Sequence, residues 1–323
     1  MILTVTLNTA LDLTYRVPRL DVHGSQPVRE VQQRPGGKGL NVARVLAALG
    51  TGTVVTGFAG GLTGAEVRAL LAREPGVTDA LVETGGSTRR TVGIVDESTG
   101  RTTQLNEPGP HISPPEWADF QSSYTRLLRG EPTGSPSADG GPAEAVALCG
   151  SLPPGVPVGA YAQLIREAHA ADVPVVLDTS GEPLRRGLAA RPDLVKPNTD
   201  ELVGVTGTAE PLRAARAAQR RGAHAVAASM GPDGMLLVTP DGTWQASPPE
   251  SLAGNPTGAG DSAVAGLLSG MVEGLSWPDR LARAVALSAA TVRAPTAGEF
   301  DGAVHADLLS RVSVTKHSES AAG

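Results

Sequence analysis

Short apolar runs rich in β-branched residues alternate along this chain with segments whose apolar positions recur at helical spacing. The runs that predict strands are Ile2–Leu7, Val28–Gln33, Thr53–Thr56, Val92–Asp96, Ala145–Leu148, Val175–Asp178, Leu194–Lys196, Ala225–Ser229 and Met235–Val238. The segments that predict helices are Leu40–Leu49, Gly64–Ala72, Gly159–Ala171, Glu201–Thr206, Pro211–Arg221, Gly258–Glu273 and Pro278–Arg293. The alternation is typical of βαβ crossovers, so we expect an α/β fold with a mainly parallel central sheet flanked by helices. Ligands of such folds bind at the carboxyl ends of the strands.

Two regions depart from this alternation. Residues 8–33 and 88–105 carry strand patterns without intervening helices, which predicts a small antiparallel lid beside the main sheet. Residues 130–143 are rich in Gly, Pro and Ser and predict a surface loop, whereas the polar residues 315–323 predict a flexible tail. We therefore expect a single domain over residues 1–314, with the lid strands inside it.

The composition is that of an ordinary globular protein. The chain has 323 residues, a net charge of −6 and 40% hydrophobic residues, but only 3% aromatic residues, so Ala, Val and Leu must fill the core. The negative charge argues against a general nucleic-acid partner. No apolar run reaches the ~18 residues of a membrane helix, the N-terminus has the pattern of a strand, and Cys149 is the single cysteine. These features predict a cytoplasmic protein with no membrane partner.

The most informative motif is residues 255–261, which read NPTGAGD and lead into an apolar helical run. A helix start offers unpaired N–H groups and the positive end of the helix dipole, and glycines let the backbone approach an anion closely. Asp261 would lie beside that anion and could accept a proton from an attacking hydroxyl. The combination predicts phosphoryl transfer, and a capping aspartate is the common structural interpretation.

A second glycine cluster, GGKG at residues 36–39, opens another predicted helix. It is not a Walker loop, because Lys38 is followed by Gly39 rather than by Ser or Thr, and no dinucleotide fingerprint follows a strand. One interpretation is a close backbone approach to a polar ligand, with Lys38 as a point charge on a second phosphate. The other is a turn with a surface lysine. Asn41, one turn into the helix, could reach a sugar hydroxyl.

Further polar positions follow predicted strands or open them. Asp12 comes after the first strand and could hold vicinal hydroxyls of a sugar. Arg89 and Arg90 open a lid strand, and either guanidinium could grip a phosphate. Ser151 follows a buried strand and could offer its hydroxyl to a ligand. The structural interpretation is a solvated loop for Asp12, which is the more common case, solvent exposure for the two arginines and a turn for the segment of Ser151.

Two later segments have the same double interpretation. Asn198 and Glu201 precede a helix, where they either cap it or organise water around Mg²⁺. Residues 229–234, SMGPDG, form either a tight hairpin turn or a cradle for nucleotide phosphates. The six histidines show no metal-ligand spacing, so a zinc site is not expected.

In order and type, these motifs together resemble the ribokinase/phosphofructokinase-B sugar-kinase family over nearly the whole chain. The blocks ILTVTLN at 2–8, GGKGLNVAR at 36–44, NEPG at 106–109 and GAGDS at 258–262 resemble its 1-phosphofructokinase and tagatose-6-phosphate kinase branch. Lys38 matters most for substrate class, because the branch that acts on phosphorylated sugars carries a basic residue there. This chain departs from the branch at Thr9, where the branch usually has a proline. Without the fixed φ of proline, the loop before Asp12 is less rigid.

The resemblance implies a role for each matching position. Asp261 would be the catalytic base, and the amides of Gly258, Ala259 and Gly260 would form an anion hole. The residues that would hold the sugar phosphate are Asp12, Gly37, Lys38, Asn41, Arg89 and Ser151. Those that would face ATP are Lys196, Asn198, Ser229, Gly231, Gly234 and Ser288. Glu201, together with Asn198, would act through Mg²⁺ and water.

The implied activity is ATP-dependent phosphorylation of fructose 1-phosphate at its free primary hydroxyl, giving fructose 1,6-bisphosphate. Phosphorylation of tagatose 6-phosphate, or of a broader range of hexose phosphates, is the alternative. A silent sugar-phosphate sensor would lack the base, and Asp261 is present. Residues 227–231, AASMG, faintly resemble a serine-hydrolase elbow but lack its first glycine. An uncovered lid strand would favour a homodimer.

Overall fold

The computed structural model describes residues 1–131, 141–250, 252, 254–294 and 296–317. Its strands are β1 (Ile2–Thr6), β2 (Ala10–Val17), β3 (Glu30–Gly36), β4 (Thr53–Ala59), β5 (Val77–Asp79), β6 (Val82–Glu83), β7 (Arg89–Asp96), β8 (Arg101–Asn106), β9 (Ala145–Cys149), β10 (Val175–Asp178), β11 (Leu194–Val195), β12 (Ala225–Ser229), β13 (Met235–Thr239), β14 (Gly242–Ser247) and β15 (Ser313–Lys316). Its α-helices are α1 (Lys38–Ala48), α2 (Gly61–Leu71), α3 (Pro114–Arg129), α4 (Ala160–His169), α5 (Gly181–Ala189), α6 (Thr199–Thr206), α7 (Pro211–Arg220), α8 (Ala259–Val272), α9 (Trp277–Thr291) and α10 (Gly302–Arg311).

The main sheet runs through the centre of the molecule. In the described part of the chain it has eleven strands, in the order β15-β14-β13-β12-β11-β10-β9-β1-β4-β5, with β6 beside β4. The strands from β5 to β12 in this order are parallel, and β13, β14 and β15 extend the sheet in antiparallel fashion. The predicted α/β fold with a mainly parallel sheet is therefore confirmed.

Helices cover both faces of this sheet. On one face, Tyr124 of α3 and Tyr161 of α4 are fully buried in the same cluster as Leu3 of β1. On the other face, Ile2 of β1 packs in a cluster with Leu267 of α8. Successive β1 side chains thus enter opposite layers, which explains why the parallel strands are apolar almost without interruption.

A second sheet, with the order β3-β2-β7-β8, stands beside the first. Its apolar face packs on α2 through Leu11 and Leu13. The register places Asp12 opposite Arg34 on β3 and Thr91 on β7, so these three side chains share the other, polar face. The sheet was predicted as antiparallel, but β2 and β7 pair in parallel. The reason is that the chain passes through α1, β4 and α2 between them.

The structure adds elements that the sequence pattern missed. Helices α3, α5 and α10 and strand β14 were not predicted. The chain after Val314 was expected to be flexible, yet it continues strand β15, which pairs with β14 as far as Lys316. Of the predicted loop at 130–143, residues 132–140 lie outside the described residues, as do residues 318–323 of the predicted tail. Among the described helices, none is both long and apolar enough to cross a bilayer.

Candidate active site

The N-terminus of α8 has the geometry of an anion site. Gly258 precedes the helix in the left-handed region, at φ 84°, a conformation that favours glycine. The amide of Ala259 donates to the carbonyl of Pro256 at 3.1 Å. This amide was predicted to face an anion, but in the structure its hydrogen is already used within the protein. Within the described residues, the amides of Gly258 and Gly260 donate to no protein acceptor. These two N–H groups are available to an anion.

Asp261 lies in the first turn of α8 and is only 7% exposed. Its Oδ2 accepts a hydrogen bond of 2.8 Å from Nδ2 of Asn41 on α1. Burial raises the pKa of Asp261 to about 6, an increase that Lys38 opposes and Asp178 reinforces. A carboxyl group with this pKa is mostly ionised at neutral pH and is matched to proton transfer there.

Two lysines converge on one buried carboxylate beside Asp261. Nζ of Lys38 is 3.3 Å from both carboxylate oxygens of Asp178, and Nζ of Lys196 is 3.5 Å from its Oδ1. Asp178 is 1% exposed at the carboxyl end of β10. Burial alone would lower the pKa of Lys38, but Asp178 and Asp261 outweigh it and raise this pKa above its usual range. A β-carbon on Gly260 would lie 3.5 Å from Nζ of Lys196, so this ammonium group borders the anion site.

A cavity of about 470 Å³ borders the anion site at the start of α8. Its lining includes Ala259 and Gly260 of α8, and four residues predicted to face a nucleotide: Ser229, Gly231, Gly234 and Ser288. Residues 229–234 form the predicted hairpin turn between the antiparallel strands β12 and β13. The fold thus brings together four positions that lie up to 59 residues apart in the sequence.

The polar face of the small sheet carries the predicted sugar residues. Burial raises the pKa of Asp12 to about 6, against a hydrogen bond with Thr91 and the attraction of Arg89. Arg89 donates from Nε to the carbonyl of Asn8 at 3.1 Å. Arg90 turns away and pairs with Glu107 at 3.2 Å with 57% of its side chain exposed. The structure therefore favours Arg89 over Arg90 as a ligand of the site.

Two further predicted sugar residues lie close to these groups. Nδ2 of Asn8 donates to the hydroxyl of Ser151 at 3.1 Å, at the carboxyl end of the main sheet. Gly37 directly precedes α1 at φ 114°, and a β-carbon there would lie 2.5 Å from the Thr6 side chain. This glycine is required because the start of α1 approaches β1 closely.

Asn198 and Glu201 show the capping arrangement. Oδ1 of Asn198 accepts from the amide of Glu201 at 2.8 Å, and Oε2 of Glu201 accepts from the amide of Asn198 at 2.9 Å. Asn198 also forms a parallel bridge with Ser229, next to the cavity. The capping interpretation is confirmed, and the proposed action on Mg²⁺ stays a prediction.

The profile described as pfkB family carbohydrate kinase matches residues 5–301. The chain belongs to the pfkB family of carbohydrate kinases. The predicted family resemblance is thereby confirmed, and the chain is a phosphotransferase that acts on a sugar.

Individual relatives agree with this assignment. The kinase is 40% identical over 298 residues to a 1-phosphofructokinase from Rhodobacter capsulatus, covering 89% of this chain and 90% of the relative. It is 33% identical over 321 residues to a 1-phosphofructokinase from Bacillus subtilis, covering 98% and 100%. Phosphofructokinase-2 from Escherichia coli, solved in complex with fructose-6-phosphate, is similar in structure, with a TM-score of 0.84, 29% identity and coverage of 96% and 98%.

Sequence reasoning missed one member of the kinase's charged cluster. Asp178 ends a predicted apolar strand, and a carboxylate at the carboxyl end of a parallel strand is a signal that could have identified it. Its neighbours lie 140 residues earlier, at Lys38, and 18 residues later, at Lys196. The assembled main sheet and the start of α1 bring these three charges together.

Proposed function

We propose that this kinase transfers the γ-phosphoryl group of ATP to O6 of fructose 1-phosphate, giving fructose 1,6-bisphosphate and ADP. The observation that carries the proposal is the buried Asp261 with a pKa of about 6 beside the free amides at the start of α8. The sugar is proposed because the curated relatives at 33–40% identity are named 1-phosphofructokinases. The cytoplasmic location stays a prediction.

The proposed reaction balances through Asp261. O6 of the sugar forms a bond to the γ-phosphorus while its proton passes to a carboxylate oxygen of Asp261. The bond from the γ-phosphorus to the bridging oxygen breaks, and ADP leaves with that electron pair. Asn41 already donates to Oδ2 of Asp261, so we propose Oδ1 as the oxygen that receives the proton. The amides of Gly258 and Gly260 would donate to the transferred group, and each such donor is typically worth roughly 3 kcal/mol.

ATP and the sugar phosphate would then bind in separate places near the start of α8. We propose the cavity lined by Ser229, Gly231, Gly234 and Ser288 for ATP, because it is large enough for part of a nucleotide and borders Gly260. Asp12 and Arg89, on the small sheet, would hold the sugar phosphate. Lys38 was predicted to hold the sugar phosphate and Lys196 to face ATP. Because Asp178 holds both cations beside the anion site, we propose instead that they stabilise the charge on the transferred group.

Mg²⁺ would be held mainly by phosphate oxygens and water. Within the described residues, no group of three or more His, Cys, Asp or Glu is arranged around a metal position. This fits Mg²⁺ bound with ATP, because that ion usually takes one or two carboxylates and keeps several waters. Glu201 and Asn198, which cap each other at the start of α6, are the residues proposed to contact that ion through water. The ion would neutralise charge on the phosphates.

We further propose that a second copy of the chain covers the small sheet. Strands β3 and β8 are its edges among the described residues, and every residue of β8 is exposed. Val31 on β3 and Leu105 on β8 are 53% and 57% exposed. Unpaired edges with apolar side chains are surfaces that proteins usually cover.

A coupled assay of ADP release tests the sugar assignment. Fructose 1-phosphate, fructose 6-phosphate, tagatose 6-phosphate and unphosphorylated fructose are compared under the same ATP and Mg²⁺ concentrations. We expect kcat/KM for fructose 1-phosphate to exceed the others by at least about tenfold, the range that contacts to one group provide. A higher value for tagatose 6-phosphate would replace this assignment with the alternative.

A further inference from the structure

Residues 297–299, which follow α9, lie between the anion site and α1. A β-carbon on Gly258 would come within 2.8 Å of Cα of Ala297, so these two residues are in direct contact. A β-carbon on Gly298 would come within 3.0 Å of Oδ1 of Asn41, the residue that holds Asp261. The position of this segment therefore limits where the start of α8 can lie.

Arg44 of α1 contacts two residues of this segment, Ala297 and Glu299. Its side chain is only 4% exposed, which is rare for an arginine unless it is well paired. Nη1 donates to the carbonyl of Ala297 at 3.1 Å, and Nη2 is 3.4 Å from Oε1 of Glu299. Nε is 3.2 Å from Oε1 of Glu74, close enough for an ion pair, although the two atoms form no hydrogen bond. A planar group held from several sides keeps its orientation.

Glu299 connects the same segment to the small sheet. Its Oε1 also pairs with Nη1 of Arg34 on β3, directly across from Asp12. Arg34, Arg44 and Asp12 line one small cavity of about 70 Å³ together with Ala297. The sheet that carries the sugar residues and the segment behind the anion site thus share one carboxylate.

We propose that Arg44 is a positioning residue for phosphoryl transfer. Through Ala297 it fixes Gly258 at the anion site, and through Glu299 and Arg34 it couples this position to the small sheet. The proposal rests on the proposed function only in requiring an anion site at α8, and it holds for whichever sugar phosphate the kinase accepts. Arg44 itself touches neither substrate.

The test is Arg44→Met, with Arg68→Met as the matched control. Arg68 on α2 also pairs with a carboxylate, Asp79 at 2.8 Å, and donates to a backbone carbonyl, that of Leu81 at 2.9 Å, but it lies outside the site. For Arg44→Met we expect kcat to fall by about tenfold to a hundredfold, the cost of displacing a catalytic group by about 1 Å. KM for ATP should change by less than about twofold, because the nucleotide cavity is untouched.

A binding measurement separates positioning from folding. ADP with aluminium fluoride mimics the transferred group, so its affinity should fall in Arg44→Met by about the same factor as kcat, with ADP alone unaffected. Arg68→Met should lower thermal stability and leave both quantities at wild-type values. If Arg44→Met behaves as Arg68→Met does, the proposal is overturned.

A second pair of variants covers the case in which Arg44→Met does not fold. Arg44→Lys keeps the charge but not the forked contacts, so its kcat should lie between that of the wild type and that of Arg44→Met. Glu299→Gln leaves the Ala297 contact in place, and we expect it to raise KM for the sugar phosphate more than it lowers kcat. Wild-type kinetics in both variants would contradict the proposal. All assays use whichever sugar phosphate the wild-type kinase turns over fastest, so a wrong sugar assignment shows up separately.

Discussion

Replacing Asp261 by asparagine should abolish turnover and at the same time stabilise the fold. In the native state the pKa of Asp261 is about 6, whereas the ordinary value is 3.8. The difference corresponds to about 3 kcal/mol, which the folded state loses when the buried carboxyl ionises. The amide side chain of the variant carries no charge, so this cost disappears.

The sign of the effect follows from the two pKa values. Above about pH 6 both the folded and the unfolded chain hold Asp261 ionised, and the folded state bears the full penalty. Well below pH 4 both hold it protonated, and the penalty vanishes. The variant should therefore gain up to about 3 kcal/mol at pH 8 and only about 0.5 kcal/mol at pH 4.

Local contacts should survive the substitution. An asparagine side chain keeps an oxygen that can accept the 2.8 Å hydrogen bond from Asn41, so no buried donor loses its partner. Lys38 and Lys196 lose one attractive neighbour but keep Asp178. The volume of the side chain hardly changes, so no cavity is expected.

Urea unfolding of the wild type and the variant at pH 8, 6 and 4, together with turnover at pH 8, is the assay. We expect the stability gain to shrink as pH falls, and kcat to drop by several orders of magnitude. Asp119→Asn, at an exposed position of α3, should change neither quantity and serves as the control. Near-normal turnover, or lower stability of Asp261→Asn at pH 8, would refute the reasoning.

Four other outcomes can be checked directly. The pH profile of kcat/KM should fall below about pH 6 with a slope approaching two, because Asp12 and Asp261 both lose their charge there. Gly258→Ala should destabilise the fold by at least about 1–2 kcal/mol in thermal unfolding, because φ 84° strains any L-residue. Asp178→Asn should cost about 3 kcal/mol in urea unfolding, since it leaves two lysines without their buried partner. Leu105→Asp should shift a dimer towards monomer in sedimentation velocity; an unchanged profile would contradict the proposed interface.

Local sequence signals were strong enough to predict several strands and helices. The apolar runs of β1, β9, β10 and β12 and the helix that starts after Gly258 have the expected bounds to within a residue or two. Local signals also existed for α3, where Ser113 and Glu116 form a capping box around two prolines, but its polar stretches obscured the helical period. Strands β14 and β15 have neither a strong period nor an apolar run, and pairing along the edge that starts at β13 makes them strands.

By itself, the sequence determined the apolar parallel strands β1, β9, β10 and β12, the glycine-rich start of α8 and the chemistry that Asp261 could supply. These features depend on neighbours a few residues away, so hydrophobic period and backbone freedom specify them locally. Tertiary structure alone decided that Asn41 meets Asp261 across 220 residues, that Asp178 contacts two lysines, and that Arg89 rather than Arg90 shares the face of the small sheet with Asp12. Assembly of the sheet sets these distances, because parallel strands that are distant in sequence end side by side at one edge.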